Sequence, residues 1–383
     1  MTTNDLPQGW TWENVLARLG EHVDVEGSAR AHKALLRRRV IKTAGQLLRL
    51  VLAYVLSGLS LRGTVAWAEA AGQASFSDVA LLKRLRGCGP WLAELVGQLS
   101  AVANGSAGGV APSRRVVAVD ATAICSPGGQ NKRYRLLHSV YDVGAQRFVT
   151  TQMTERQVAE RLDVGTLAAG EIRLGDRVYG RYRDLAAVGA DYVVRLSARA
   201  LKLETGDGKP FHRAALCRRA EKEGVQTVTV QVRGAGRQTP LAARVIILPS
   251  PPEQAAAARR QMRKNARSWS YTPSEEALAT AGCLMLITSL AAQEWPPERV
   301  LALYRQRWQA ELAFKRLKSL LALEALRAFD SDLISAWIHA VLLVALLIEL
   351  ERPSPSSEAP DSPRSAPAAP SRCGASSPSS LAA

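Results

Sequence analysis

Residues 301–326 read LALYRQRWQAELAFKRLKSLLALEAL. The stretch lacks Pro and Gly, is rich in Leu, Ala, Arg, Lys and Glu, and follows Pro296-Pro297, which predicts one long helix. At about 100° per residue, Tyr304, Arg307, Glu311 and Lys318 fall within roughly a 60° sector, so a carboxylate lines up with a phenol, a guanidinium and an ammonium. Two readings fit that face. It holds a metal ion and a phosphate together, or it is a solvated face with an Arg307–Glu311 pair at i, i+4.

The charge balance favours a polyanionic partner. Lys and Arg number 50 against 34 Asp and Glu, a formal charge of +16, and each cation placed on a phosphate releases a condensed counterion. Nucleic acid is the default partner and an anionic membrane surface the competitor. Five cysteines (Cys88, Cys125, Cys217, Cys283 and Cys373) are scattered without C-x-x-C or Cys/His spacing, which fits a reducing cytoplasm and argues against zinc. The start, MTTNDLPQGW, shows no basic segment followed by an apolar run, so no export signal is expected. The apolar run Ala340 to Ile348 is flanked by Trp337, His339 and Glu349. It is too short to span a bilayer and reads as a buried helix.

Along the chain, residues 1–110 read as a helical domain. The basic cluster Lys33, Arg37, Arg38, Arg39 and Lys42 leads into an apolar helix, Ala44 to Leu56; Ser60 then caps one short helix and Ser77 with Asp78 another. The last two resemble a helix-turn-helix whose second helix carries Lys83, Arg84 and Arg86, and plain helical packing fits equally. Residues 106–113 (SAGGVAPS) read as a linker. Residues 111–197 then change period. VVAVD ends a strand in Asp120, and two strands joined at Asp142 to Gly144 follow. A helical stretch spans Gln157 to Ala169, EIRLGD ends a strand in Asp176, a helix covers Tyr179 to Val188, and ADYVVRLS is a further strand. This order predicts an α/β fold with a mixed sheet covered by helices on both faces. Residues 198–290 read as a strand-rich basic insertion interrupted by QAAAARRQMRKNARSW, which lies on a nucleic-acid backbone or is a solvated helix. Residues 291–350 return to helix, and residues 351–383, rich in Pro, Ser and Ala, read as disordered.

Asp120 and Asp176 at strand ends, with Glu311 on a helix beyond the insertion, supply three carboxylates. Such a set suits a pair of Mg²⁺ ions whose remaining positions are filled by phosphate and water, the arrangement for in-line displacement at phosphorus. The run Tyr304-x2-Arg307-x3-Glu311-x6-Lys318 resembles the Y-R-E-K signature of DDE transposases of the insertion-sequence type 4 family, and Asp120 in VVAVDAT and Asp176 in RLGDRVYGRY resemble that family's two strand-borne aspartates. The resemblance covers most of residues 30–350. It implies a ribonuclease H-like core with a β-rich insertion and cut-and-paste transposition by cleavage and strand transfer. Asp120, Asp176 and Glu311 would be catalytic and would bind two Mg²⁺ or Mn²⁺ ions. Tyr304, Arg307 and Lys318 would hold the end of the element, with Lys315, Arg177, Lys83 and Arg84 as further DNA contacts. The implied partners are double-stranded terminal inverted repeats and target DNA, with a homodimer in the synaptic complex, no membrane, and a place in the bacterial cytoplasm at the nucleoid.

Two departures stand out. Where some relatives carry a tryptophan before the last insertion strand, this chain has Gly282-Cys283-Leu284, leaving Trp269 and Trp295 as substitutes. The Pro/Ser/Ala tail reads as a truncated or out-of-frame end, which allows an inactive product. A non-catalytic DNA-binding derivative and a ribonuclease H-like nuclease without strand transfer are the rival readings.

Overall fold

Side-chain caps start the helices of the N-terminal region in the computed structural model, which describes residues 11–35, 38–105, 114–125, 134–155, 158–196, 201–236, 238–320, 326 and 328–350. The expected linker at 106–113 and the tail at 351–383 lie outside the described residues, as does Arg37 of the basic cluster. Six helices come first: α1 (Trp12–His22), α2 (Val25–Ala31), α3 (Ala44–Leu56), α4 (Leu61–Ala70), α5 (Asp78–Arg86) and α6 (Gly89–Gly105). Thr43 and Gln46 close a capping box on α3, and the hydroxyls of Ser60 and Ser77 accept from the N–H groups of Gly63 (3.0 Å) and Ala80 (3.2 Å) at the starts of α4 and α5.

Strands and helices then alternate: β1 (Val116–Cys125), β2 (Tyr134–Asp142), β3 (Arg147–Glu155), β4 (Ile172–Gly175), α7 (Tyr182–Ala187), β5 (Asp191–Arg195), β6 (Lys202–Thr205), α8 (Arg213–Glu223), β7 (Gln226–Arg233), β8 (Leu241–Pro249), α9 (Pro252–Ser268), α10 (Glu275–Thr280), β9 (Cys283–Thr288), α11 (Pro297–Arg305), α12 (Trp308–Leu320) and α13 (Ser331–Leu350). The strands form one nine-stranded sheet in the order β3-β2-β1-β4-β5-β9-β8-β7-β6. The β1–β4 and β4–β5 pairs are parallel and the remaining neighbours antiparallel, so the sheet is mixed. The strands of residues 198–290 continue this sheet through β9, which pairs with β5.

Each face of the sheet is covered. Ala118 and Ile124 of β1 join a buried cluster with α3, α6, α12 and α13, whereas Val117 and Val119 join a second one with Leu185 of α7 and Cys217 of α8. That is the period of two of a strand buried on both faces. By length and composition α13 could cross a membrane, but Leu333, Trp337, Val341 and Leu346 are buried in the first cluster. Cys88, Cys217 and Cys283 are free and buried.

Four expectations are corrected. The helix expected from Leu301 is divided, because the N–H groups of Gln306 and Arg307 bond to the carbonyls of Leu303 and Tyr304, both 3.1 Å, and those of Gln309 and Ala310 to Gln306 and Arg307. These i to i+3 bonds tighten the turn between α11 and α12 without any Pro or Gly. β1 runs on past Asp120 to Cys125 because β2 pairs with it throughout. The helix from Tyr179 begins only at Tyr182. Finally, no helix forms over the described part of the Gln157–Ala169 stretch.

Arg173 accounts for the last. It is fully buried on β4, where its Nε donates to Glu171 (2.8 Å) and one Nη to the carbonyls of Leu162 (2.6 Å) and Val164 (2.7 Å). Carbonyls that a helix would use internally are taken by a guanidinium, and the segment lies as an extended crossover against the sheet. Arg173→Ala should cost about 3–5 kcal/mol, because it leaves the buried Glu171 carboxylate with only the longer contact to Arg115 (3.8 Å). Replacing both partners, Glu171→Leu with Arg173→Met, should cost less than the single change in urea denaturation.

Candidate active site

The pairing of β1 with β4 places the first two carboxylates. The parallel register runs Val116↔Ile172, Val117↔Arg173, Ala118↔Leu174 and then stops. Continued by two residues, it sets Asp176 beside Asp120, each sharing a face with Ala118 and Leu174. Asp120 is therefore mid-strand toward β2 but beyond the end of the ladder toward β4. A change of direction between neighbouring crossovers at the carboxyl ends of parallel strands is where open α/β sheets leave a ligand crevice. The Asp120 Oδ1 accepts from the Ala121 N–H (2.9 Å), and the Asp176 Oδ1 from the Val178 N–H (2.8 Å), which fixes the turn after β4.

The α12 helix brings the third. Ala310, Ala313, Phe314 and Leu317 bury into the cluster on the same face, with the Phe314 ring 5.5 Å from that of Phe148 on β3. Glu311 stands in the first turn of α12, and its Oε1 accepts from Arg307 at 2.6 Å. Arg307 sits in the tight turn between α11 and α12, with its guanidinium carbon 5.6 Å from the centre of the Tyr304 ring. Burial works against the Arg307 charge, but Tyr304, Glu311 and Asp120 outweigh it and hold the guanidinium protonated. Tyr304 is itself buried, and burial raises its phenol while Arg307 and Arg195 oppose that.

Burial pushes the Asp120 carboxyl up from 3.8 to about 7; the Ala121 N–H and Arg307 pull it down, and Asp176 and Glu311 add like charge. Asp120 thus lies within the field of Asp176, Glu311 and Arg307. They are not drawn tightly together: among the described residues, no three His, Cys, Asp or Glu side chains are close enough to hold a metal ion. Glu311 is turned to Arg307 instead. The donor set still suits a hard divalent cation, since it consists of carboxylate oxygens carrying excess negative charge around a partly buried member.

The other expected residues are dispersed. Arg177 is exposed in the turn after Asp176, and Lys315 and Lys318 are exposed and half-buried on α12. Lys83 and Arg84 are on α5, which packs on α4 and α13, and are not among the charges acting on Asp120. Trp295 is packed beneath Arg299, 3.9 Å from the ring centre, whereas Trp269 is 80% exposed at the end of α9. Three neighbours of the site escaped notice in the sequence. Arg195 at the end of β5 acts on Tyr304. The Tyr179 hydroxyl is buried without a well-formed hydrogen bond, beside the Glu160 carboxylate, which Asp176 also acts on. Tyr179 lay in the quoted RLGDRVYGRY motif, but nothing in the sequence distinguishes Glu160 from the acids around it.

The partly buried Asp120 gives a pH dependence. Its folded-state value lies above the unfolded one, so its contribution to stability is present below about pH 4 and is lost as pH rises through about 7. In a chelator, Asp120→Asn should be more stable than the parent by about 2 kcal/mol at pH 8 and little different at pH 4.5. Thermal melts at the two values check this, and a difference independent of pH would contradict it.

Residues 111–347 match the family model described as Transposase DDE domain. The chain is 41% identical over 345 residues to the transposase InsL of insertion sequence element IS186A of Escherichia coli (strain K12), covering 88% of this chain and 93% of that protein. It is 41% identical over 346 residues to the transposase of insertion sequence element IS421 of Escherichia coli, with the same coverage. Among solved structures it aligns with the piggyBac transposase in a synaptic complex with hairpin DNA, at a TM-score of 0.41 and 9% identity over 88% of this chain and 74% of that one. With the family model covering more than half of it, and relatives matched nearly end to end, the chain belongs to the DDE-domain transposases of bacterial insertion sequences.

Proposed function

We propose that this transposase is of the insertion-sequence type 4, Y-R-E-K kind, with a ribonuclease H-like core, and that it cuts the ends of its element and joins them to target DNA. What supports the reading is that Asp120, near the carboxyl edge of the β1–β4 pair, feels the charges of Asp176, Glu311 and Arg307, and that Arg307 holds Glu311. Asp120, Asp176 and Glu311 would hold two Mg²⁺ or Mn²⁺ ions, which when bound activate the attacking hydroxyl and stabilise the leaving oxygen at phosphorus.

The protein's own groups do the rest. Arg307 holds Glu311 now, and its planar fork is as well suited to a phosphate oxygen pair. Tyr304 is too buried to be a primary phosphate contact, and its ring supports the Arg307 guanidinium. Lys315, Lys318 and the exposed Arg177 extend the positive field along the backbone, and Lys83 and Arg84 on α5 are candidates for a second, more distant DNA contact. The partners are the terminal repeats and a target duplex, in the bacterial cytoplasm. A homodimer is expected, since two ends have to be brought together.

The experiment uses linear duplex carrying the repeats that flank the gene, with Mg²⁺. Wild type should nick at the repeat boundary, while Asp120→Ala and Glu311→Ala should lose at least about a hundredfold in cleavage and keep repeat affinity within about threefold. Cleavage undiminished in either variant would remove the assignment. Binding without cleavage by wild type, with any divalent ion, would leave a non-catalytic DNA-binding protein.

A further inference from the structure

Helix α9 carries Arg260, Arg263, Lys264 and Arg267 at i, i+3, i+4 and i+7. At about 100° per residue these four occupy a sector of roughly 100°, a single stripe about 10.5 Å long. All four are exposed, and among the described residues none of their side chains makes an ion pair or hydrogen bond. The stripe lies away from the face that packs. Ala255 and Ala266 are buried, and Arg259, between them, donates its Nε to the carbonyl of Leu278 on α10 (3.1 Å) and pairs with Glu221 on α8. The anchoring arginine is thus satisfied inside the fold, while among the described residues the four outward side chains meet no partner.

Topology starts α9 at the edge of the sheet where the carboxylates stand. β8 is antiparallel to β9, which is antiparallel to β5, so β8 runs parallel to β1, β4 and β5. Its carboxyl end, Pro249, which pairs with Cys283, therefore falls on the same edge of the sheet as Asp120 and Asp176, and α9 starts three residues later. Three strand spacings separate β4 from β8, about 14 Å. A duplex presents one phosphate per about 3.4 Å of axis on each strand, so a stripe of this length spans about three phosphates of each strand.

We infer that the outward face of α9 is a docking surface for the phosphate backbone of duplex DNA lying across the catalytic edge. This rests on the reading of the chain as a DNA-cutting enzyme, and it adds a contact whose contribution does not depend on base sequence. Cations at i, i+3, i+4 and i+7 on a helix anchored by Arg259 have a fixed spacing, which suits repeated backbone contact better than base readout.

The full chain carrying Arg260→Gln, Arg263→Gln, Lys264→Gln and Arg267→Gln tests this by fluorescence anisotropy against two labelled duplexes, one with the repeats and one of unrelated sequence, across a NaCl series. Four lost phosphate contacts should reduce the slope of log Kd against log salt by about 3–4 units and weaken both duplexes alike. A charge-keeping variant, Arg260→Lys with Arg263→Lys and Arg267→Lys, should retain the slope, and circular dichroism should show unchanged helix in both. A slope altered by less than about one unit would overturn the inference. So would loss of binding to phosphatidylserine vesicles with no change on DNA, which would make the surface a membrane contact. Wild type that binds with an α9-dependent slope but never cleaves would sink the catalytic reading and leave this surface standing. Wild type that cleaves normally, with a slope indifferent to α9, would do the reverse.

Discussion

Everything at the site depends on two parallel strands parting at a particular residue. β1 and β4 pair as far as Ala118 and Leu174, and two residues beyond the end of that ladder each chain carries a carboxylate, Asp120 and Asp176. Like charges are thereby placed side by side where a folded protein would ordinarily avoid them. At Asp120 burial, and to a lesser degree the like charges of Asp176 and Glu311, drive the carboxyl up to about 7. Arg307 offsets part of that rise from the turn between α11 and α12. An arrangement that leaves a carboxylate partly neutralised and still short of positive charge is poorly suited to holding the fold together and well suited to capturing a cation.

The surrounding fold keeps those strands in place. Arg173, on the opposite face of β4, takes the carbonyls of Leu162 and Val164 and ties the crossover to the sheet, which sets Glu160 near Tyr179 and Asp176. On the other face, Phe314 packs on Phe148 and seats α12 over the sheet, which sets the height of Glu311. The site is thus assembled from three segments far apart in sequence, each fixed by contacts that have no chemistry of their own.

Much of this was legible from residues. The capped starts of α3, α4 and α5 were written in Thr43, Ser60 and Ser77, whose hydroxyls do what local capping physics requires. The Arg307–Glu311 pair was legible from its i, i+4 spacing as well. What failed depended on partners distant in sequence. QVAERLDVGTLAA has helical composition, and no local signal says that an arginine on β4 will claim its carbonyls. VVAVD looks finished at its acid, but β2 keeps pairing to Cys125. The tightened turn at Gln306 and Arg307 has no breaker residue at all. It keeps the Arg307–Glu311 pair that the spacing predicted, and changes how the face above it is aligned.

The central claim is that Asp120, Asp176 and Glu311 together hold the divalent ions of the reaction. Iron-directed protein cleavage tests it most directly: Fe²⁺ replaces Mg²⁺ in the protein–DNA complex, ascorbate and peroxide generate hydroxyl radicals at the bound ion, and the fragments are mapped by mass spectrometry. The account predicts backbone cuts clustered near residues 120, 176 and 311 together, suppressed by competing Mg²⁺. Cuts that cluster elsewhere, or at only one of the three segments, would contradict it.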